Sequence, residues 1–343
     1  MKRKAFVYKL TVAMLAVFRV VDGASTTDVF PTREEAKKQY VRPAEAPYPS
    51  GNAPTAERVL LGKALFFDPR LSGSGSISCA SCHNPGFSWG DGLPRAIGQE
   101  RKQMKRRTPT VLNAAWAELL FWDGRAESLE EQALLPIQAS GEMNLPLKKM
   151  LAAIVLNAGY QRLFAAAYPG EVVELRTVAK AIASFERTVV SGVAPFDFWV
   201  GGDEGAISEE AKRGFDLFNN KARCASCHTG WAFTDYGFHD IGTEGDDLGR
   251  GAELPKLEAM QHAFKTPTLR NVVERAPYLH DGSVASIEEA IDAYDRGGRV
   301  ARNGVAPDVR PLHLTAAEKK AVVAFLHTLS SIDPPVAIPM LPH

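Results

Sequence analysis

The chain has 343 residues, of which 40 are lysine or arginine and 40 are aspartate or glutamate, so its formal net charge is zero. This balance gives no overall field for nucleic acid or for an anionic membrane surface, and neither is an expected partner. The length exceeds what one hydrophobic core usually organises and predicts about two domains.

The N-terminus predicts a secretory signal peptide over residues 1–23. Three basic residues at positions 2–4 precede an apolar run from Leu10 to Phe18, which is too short to span a bilayer. No later segment is long and apolar enough for a transmembrane helix, so cleavage would release the protein into the periplasm. An uncleaved membrane anchor is the alternative. Residues 24–54, rich in Pro, Ala and charge, predict an extended surface arm.

The pentapeptide Cys-Ala-Ser-Cys-His occurs twice, beginning at positions 79 and 224. In such a motif the two thiols bond to the vinyl groups of a c-type haem, and the histidine binds the iron. The sequence therefore predicts two covalent c-type haems. The expected anchors are Cys79, Cys82, Cys224 and Cys227, and the expected axial ligands are His83 and His228.

Paired cysteines also form zinc sites, disulfides and thioredoxin-like redox pairs. A zinc ribbon usually brings its second cysteine pair much closer in sequence than these two pairs are. Disulfides would not require a histidine after each pair, and a thioredoxin-like motif belongs near a βαβ pattern, whereas the periodicity here is mostly helical. These comparisons favour haem over the three alternatives.

An internal duplication organises the rest of the chain. Thr-Pro-Thr at 108–110 and at 266–268 precedes an Asp-Gly pair at the same spacing, and a Ser-x-Glu-Glu capping box follows each pair. Further helices are predicted at 147–156, 177–191 and 315–329.

The expected fold is mostly α, with two cytochrome c-like domains that each bind one haem and face a shared interface. The predicted limits are residues 55–200 for the first domain, 201–331 for the second and 332–343 for a C-terminal tail, with the joint near 196–205.

Superposing the two halves places Pro136 opposite Tyr294. Ile287, Ala290 and Ile291 share a helical face with Tyr294, which predicts that the tyrosine points inward. A phenol can bind haem iron and a proline cannot. The haem on His228 is then closed by Tyr294, and the haem on His83 has an open face. In the alternative, Tyr294 is a core residue, and Met260 or His262 supplies the sixth ligand.

Other candidates lie around the same blocks. Trp122 matches His280, a predicted cofactor-binding residue, and either relays electrons between the irons or packs as an ordinary aromatic. Gln132 and Glu142 are expected near the open haem, where a carboxylate can move the protons of hydrogen peroxide. The alternative is that both are solvated surface residues.

Phe121-Trp122-Asp123-Gly124-Arg125-Ala126 with Pro136 and Glu142, followed by the block from Ala276 to Gly282, closely resembles the bacterial di-haem cytochrome c peroxidases and their MauG relatives. The resemblance covers roughly residues 55–330. It implies a peroxide-reactive haem on His83, with Trp122 between the haems. It also implies that Gln132, Pro136 and Glu142 line the distal pocket.

Two departures from the peroxidases resemble the MauG branch, including the MbnH-type enzymes. Tyr294 stands where that family places a methionine, and Gln99 stands where it places a loop histidine. The resemblance then implies an enzyme that uses hydrogen peroxide to oxidise a tryptophan of a periplasmic partner protein. The product is a tryptophan-derived cofactor in MauG and kynurenine in the MbnH type, and we favour kynurenine slightly.

The first alternative is a cytochrome c peroxidase that reduces hydrogen peroxide with electrons from a small cytochrome or cupredoxin. The second is a plain electron carrier with two closed haems.

The peroxidases also tend to hold calcium between their domains, through an Asn just before the Thr-Pro-Thr block and carbonyls near Ala276-Pro277. Arg107 replaces that Asn, and a guanidinium cannot bind a cation, so calcium binding is expected to be weak or absent.

Overall fold

The computed structural model describes residues 31–333 and 335–343. The predicted signal peptide, 1–23, and the first part of the arm lie outside the described residues. No single helix in the described ranges has the length and apolar character to cross a membrane. The helices Leu147–Leu156 and Ala158–Ala167 have that length and apolar character only when they are counted together, and a 93° bend separates them.

The described residues form eleven α-helices and one small antiparallel sheet, which confirms the prediction of a mostly helical protein. The helices are α1 (Arg33–Lys37), α2 (Ala56–Phe67), α3 (Cys79–Cys82), α4 (Leu129–Gln138), α5 (Leu147–Leu156), α6 (Ala158–Ala167), α7 (Leu175–Glu186), α8 (Pro195–Val200), α9 (Glu209–Asn219), α10 (Ile287–Asp295) and α11 (Ala316–His327), and the paired strands are β1 (Phe238–His239) and β2 (Phe264–Lys265).

Two large hydrophobic cores divide the chain. Buried residues between Leu61 and Val189 form the first core, and those between Phe196 and Leu329 form most of the second. Phe196 and Trp199 of α8 pack into the second core, so this helix associates with the second half although it lies before the predicted boundary at residue 200. The domain limits themselves remain predictions.

The N-terminal arm is anchored rather than simply extended. Thr32 caps α1, because its hydroxyl accepts a hydrogen bond from the Glu35 amide. Tyr40, 0% exposed, lies in the second core and stacks on Phe233 with 4.7 Å between ring centroids. Its hydroxyl donates to Asn219 of α9 at 2.8 Å. The Pro-rich composition predicted the irregular stretches of the arm but not this contact.

Each half contains a pair of helices that cross at a glycine, and this repeated crossing shows the duplication. A Cβ on Gly62 of α2 would lie 1.8 Å from the Ala181 carbonyl oxygen of α7, and a Cβ on Gly214 of α9 would lie 1.9 Å from that of Ala321 in α11. Only glycine permits this approach of two backbones. The two halves therefore share one helix-crossing geometry.

The helices that carry the candidate site begin alike. The Ser128 hydroxyl accepts from the Glu131 amide at 3.1 Å, and the Glu131 carboxylate accepts from the amide of Glu127, just before the cap. The same two bonds in the second half join Ser286, Glu289 and Ala285. This arrangement fixes the start of α4 and α10 and so sets which side chains face the interior.

Candidate active site

One continuous cavity of about 730 Å³ lies between the two halves. Its lining contains both Cys-Ala-Ser-Cys-His motifs and residues from α4, α7, α10 and α11. The predicted site residues that line it are Cys79, Cys82, His83, Trp122, Gln132, Pro136, Glu142, Cys224, Cys227, His228, His280 and Tyr294. The fold thus brings together every residue that the sequence assigned to the site.

Both motif histidines are oriented by backbone carbonyls. Nδ1 of His83 lies 3.4 Å from the Trp89 carbonyl oxygen, and Nδ1 of His228 lies 3.0 Å from that of Phe233. A hydrogen bond through Nδ1 leaves Nε2 free to bind a metal. Burial lowers the pKa of both imidazoles, which favours the neutral form that ligates iron. The two sites are therefore built on the same plan.

The cysteines fit thioether attachment better than the alternatives. All four are free thiols that line the same cavity as the histidines. In the described ranges the one group with metal-ligand spacing contains a single cysteine, Cys227, with Asp235 and His239. A zinc site built from the two cysteine pairs is thus absent from the described part. The donor set and the cavity fit two c-type haems.

Tyr294 faces the second motif across the cavity. It lies on α10 at the helical spacing predicted from Ile287, Ala290 and Ile291, all on the inner side of that helix. In the part of the chain that the structure describes, its hydroxyl has no hydrogen-bond partner. Burial is the main cause that raises its pKa, and the Cys227 and Cys224 thiols add to it. The phenol oxygen is therefore available to a ligand within the cavity.

The two alternative sixth ligands lie elsewhere. Neither Met260 nor His262 belongs to the cavity lining among the described residues. His262 instead points Nδ1 at the Asp247 carbonyl oxygen, 2.9 Å away. The geometry favours Tyr294 over both.

The corresponding surface of the first half carries Pro136, which has no donor atom for a metal. Gln132, one turn earlier on α4, and Glu142, beyond the helix, complete this side of the cavity. Burial raises the pKa of Glu142, and the field of Arg125 partly opposes this. The Glu142 carbonyl accepts from the Gln99 amide at 2.8 Å, which ties the Gln99 loop to the pocket wall. The Gln99 side chain itself is outside the lining formed by described residues.

Trp122 and His280 meet at the boundary between the halves. The Trp122 carbonyl accepts from the Lys265 amide at 2.9 Å, and the His280 carbonyl accepts from the Arg107 amide at 2.8 Å. The Trp122 indole donates to the Arg107 carbonyl at 3.0 Å and packs edge-on to His280 at 6.5 Å. His280 stacks on Phe264 with 3.6 Å between centroids. A backbone amide from each half thus holds the aromatic residue of the other half, Trp122 or His280, in place.

Charged groups reinforce this boundary. Arg106 donates to Asp123 at 2.6 Å within its own half and to Asp247 of the other half at 2.7 Å. Despite burial, the Arg106 guanidinium and the Gly249 amide lower the pKa of Asp247 to about 2. Asp247 therefore remains ionised at neutral pH, and Arg106 bridges the two carboxylates across the boundary.

Lys265 and Glu186 are among the titratable residues of the lining that sequence reasoning missed. Lys265 is half-buried, and desolvation of its ammonium lowers its pKa to about 8. The ammonium donates to the Leu119 carbonyl at 2.8 Å. Glu186 ends α7 beside the first motif. Extending the alignment of the halves to their last helices would have identified Glu186 as a carboxyl at an otherwise apolar position.

The fold and the cavity define a di-haem c-type cytochrome enzyme. Residues 56–205 match the family model described as di-haem cytochrome c peroxidase, and residues 211–330 match that described as cytochrome c. The chain is 47% identical to the methylamine utilization protein MauG of Methylorubrum extorquens, over 93% of this chain and 92% of MauG.

Two further proteins are similar over most of their length. The chain is 35% identical to the cytochrome c551 peroxidase of Nitrosomonas europaea, over 90% of this chain and 89% of the peroxidase. The crystal structure of a MauG-like protein associated with microbial copper homeostasis superposes with a TM-score of 0.77 at 31% identity, over 85% of this chain and 94% of that one. The chain therefore belongs to the di-haem cytochrome c peroxidase and MauG family of peroxide-dependent oxidoreductases, which carry c-type haem.

Replacing Glu142 by Gln is expected to slow the reaction of the ferric holoprotein with hydrogen peroxide by about 10²- to 10⁴-fold, because the amide cannot accept a proton. In the wild type the rate should rise with pH and level off above the raised pKa of Glu142, since the base must be ionised. The variant should lose this rise. Stopped-flow absorbance measures both. Glu127→Gln, at an exposed carboxylate nearby, is the control, and equal rates in the two variants would contradict the role.

Proposed function

We propose that this protein uses hydrogen peroxide to oxidise a tryptophan residue of a partner protein in the periplasm. The observation that carries the proposal is the asymmetry of the duplicated site, with Tyr294 in the second half where the first half has Pro136. An anionic oxygen ligand stabilises oxidised iron, whereas the methionine of ordinary peroxidases raises the haem potential. The second site is thereby suited to holding oxidising equivalents rather than storing electrons.

Each haem, when bound, would supply an iron that changes oxidation state, anchored by Cys79 and Cys82 in the first half and by Cys224 and Cys227 in the second. His83 is held in place by the Trp89 carbonyl, and Pro136 leaves the opposite face accessible to a small molecule. Gln132 is placed to orient hydrogen peroxide by hydrogen bonding. Glu142 takes a proton from one peroxide oxygen and returns it to the other, which assists O–O cleavage.

Trp122 is placed to carry charge between the two sites. Trp122 lies in the cavity lining, and its carbonyl accepts a hydrogen bond from the second half. Its ring packs near His280. Reduction of hydrogen peroxide to two waters consumes two protons and two electrons. In the proposed reaction both electrons come from the indole of the partner, and Trp122 joins the two sites that receive them.

The comparisons bear on the tryptophan product. Identity to MauG, at 47%, exceeds that to the copper-associated MauG-like structure, at 31%. This difference favours completion of a tryptophan-derived cofactor over the kynurenine that the sequence alone slightly favoured. The predicted signal peptide at residues 1–23 supports the periplasm as the place of reaction.

A cytochrome c peroxidase is the second candidate, because the match to the family model and the 35% identity to a cytochrome c551 peroxidase both support it. Against it stand Tyr294 and Gln99, which replace the methionine and the loop histidine expected of such peroxidases. Without that histidine, the first site needs no reductive activation before it reacts with peroxide.

The two functions differ in what they oxidise. Purified holoprotein with hydrogen peroxide would be offered either reduced cytochrome c or the exported proteins encoded beside it, each carrying its unmodified tryptophans. We expect slow oxidation of cytochrome c and a change of tryptophan mass in one exported protein, detected by peptide mass spectrometry. A Trp122→Phe variant should lose the mass change. Rapid turnover of cytochrome c with unchanged tryptophans would establish the peroxidase instead.

We further propose that calcium is not required. The Arg107 guanidinium donates to the Arg275 carbonyl at 2.8 Å, next to Ala276-Pro277, where the peroxidases are expected to bind the ion. Arg107 is partly buried at the junction of the halves, so its positive charge can take the place of the cation.

Prolonged chelation should therefore leave the rate of the peroxide reaction within about twofold of the untreated protein, whereas Arg107→Ala should weaken the contact between the halves. Metal analysis and stopped-flow absorbance check the first expectation, and thermal unfolding checks the second. Activity lost on chelation and restored by calcium would overturn the proposal.

A further inference from the structure

Glu186 is a buried carboxyl in the first half that the mechanism above does not use. It is 3% exposed, ends α7 and lines the cavity. Within the described chain its Oε2 is buried with no hydrogen-bond partner. The adjacent Arg187 does not pair with it, because its guanidinium binds Glu130 of α4 through two bonds of 2.7 and 2.8 Å.

The second half provides an internal control for this position. Phe185 of α7 and Phe325 of α11 are equivalent, because each packs against the glycine at its helix crossing. The next residue is Glu186 in the first half and Leu326 in the second, and both line the cavity. Leu326, 5% exposed, satisfies the packing without a polar group. Since an unpaired buried carboxyl costs stability, the fold alone does not explain Glu186.

The surroundings of Glu186 keep it neutral at pH 7. Burial raises its pKa to about 8, Arg187 opposes this and Glu130 adds to it. The Cys79 thiol on α3 lies close enough to Glu186 that the carboxylate raises the pKa of the thiol. When Cys79 is bonded to haem, its sulfur is a thioether and carries no charge. Two further helices pack on α7, namely α4, which carries Glu130, and α2, which places Phe66 against Phe185. A proton on Glu186 is therefore sensitive to any charge that appears in the cavity beside it.

We propose that Glu186 is a proton-holding residue of the first haem cavity, which releases its proton when the haem beside it is oxidised and takes it back on reduction. When a haem bound there loses one electron to the hydrogen peroxide that the enzyme reduces, the O–H bond of the Glu186 carboxyl would break and its proton would pass to solvent. The carboxylate then offsets the added positive charge at the site. The proposal rests on a haem occupying the first half of the cavity, and not on which molecule the enzyme oxidises.

The test is the midpoint potential of each haem in the holoprotein, measured by spectroelectrochemistry on both sides of pH 8. Coupling of one proton to one electron predicts that below pH 8 the potential of the first haem falls by about 59 mV for each tenfold drop in proton concentration. Above pH 8 the potential should level off, because the carboxyl is already ionised. The second haem, beside Leu326, serves as the internal reference and should show no such slope. Glu186→Gln and Glu186→Leu should flatten the first slope, and Glu127→Gln, at an exposed carboxylate, should retain it.

A second readout is spectroscopic and observes the carboxyl itself. The redox-difference infrared spectrum of the wild type should lose the C=O band of one protonated carboxyl on oxidation, and this loss should be absent from Glu186→Gln. A first-haem slope that persists in both Glu186 variants, or a spectrum without a carboxyl change, would overturn the proposal. Neither readout depends on tryptophan oxidation, so the failure of that function would leave this result unaffected.

Discussion

Two backbone hydrogen bonds exchanged between the halves hold the site together. The Lys265 amide donates to the Trp122 carbonyl, and the Arg107 amide donates to the His280 carbonyl. Each bond contributes only about 1 kcal/mol to stability, but backbone groups fix direction and register more strictly than side chains do. Trp122 and His280 each precede an Asp-Gly turn, and each is held by the other half. The two Cys-Ala-Ser-Cys-His motifs therefore open into one cavity. The electron transfer between the two sites that we propose would depend on this arrangement.

The duplicated scaffold makes the differences between its halves informative. The helix crossings at Gly62 and Gly214, the caps of α4 and α10 and the carbonyls that orient His83 and His228 are all repeated. Against this common background, the first half has Pro136 and Glu186 where the second has Tyr294 and Leu326. The first half thus has a proline and a carboxyl at these two positions, and the second has a phenol and an apolar side chain. In the proposed function, this contrast favours reaction with peroxide at the first site and storage of oxidising equivalents at the second.

Much of this could be predicted from sequence because the determinants are local. The two Cys-Ala-Ser-Cys-His motifs define the anchors, and the capping residues define where α4 and α10 begin. The helix over 147–156 matches the prediction, whereas the one predicted at 177–191 spans Leu175–Glu186. The placement of Tyr294 follows from the register of the duplication, so one alignment was enough to position it.

Other features depend on contacts that are distant in sequence. Tyr40 is buried in the second core, although its segment has the composition of a surface arm, because tertiary packing overrides local propensity. The environment of Glu186 is set by α3, α4 and α7 together, and no local pattern reveals it. The exchanged bonds of Trp122 and His280 likewise appear only when both halves are folded.

The central claim is that the second haem is closed by Tyr294 while the first remains open. Electron paramagnetic resonance of the ferric holoprotein, in the wild type and in Tyr294→Phe, tests it most directly. The account predicts one high-spin and one low-spin haem in the wild type, with the low-spin signal altered by the substitution. Two low-spin haems that Tyr294→Phe leaves unchanged would contradict it.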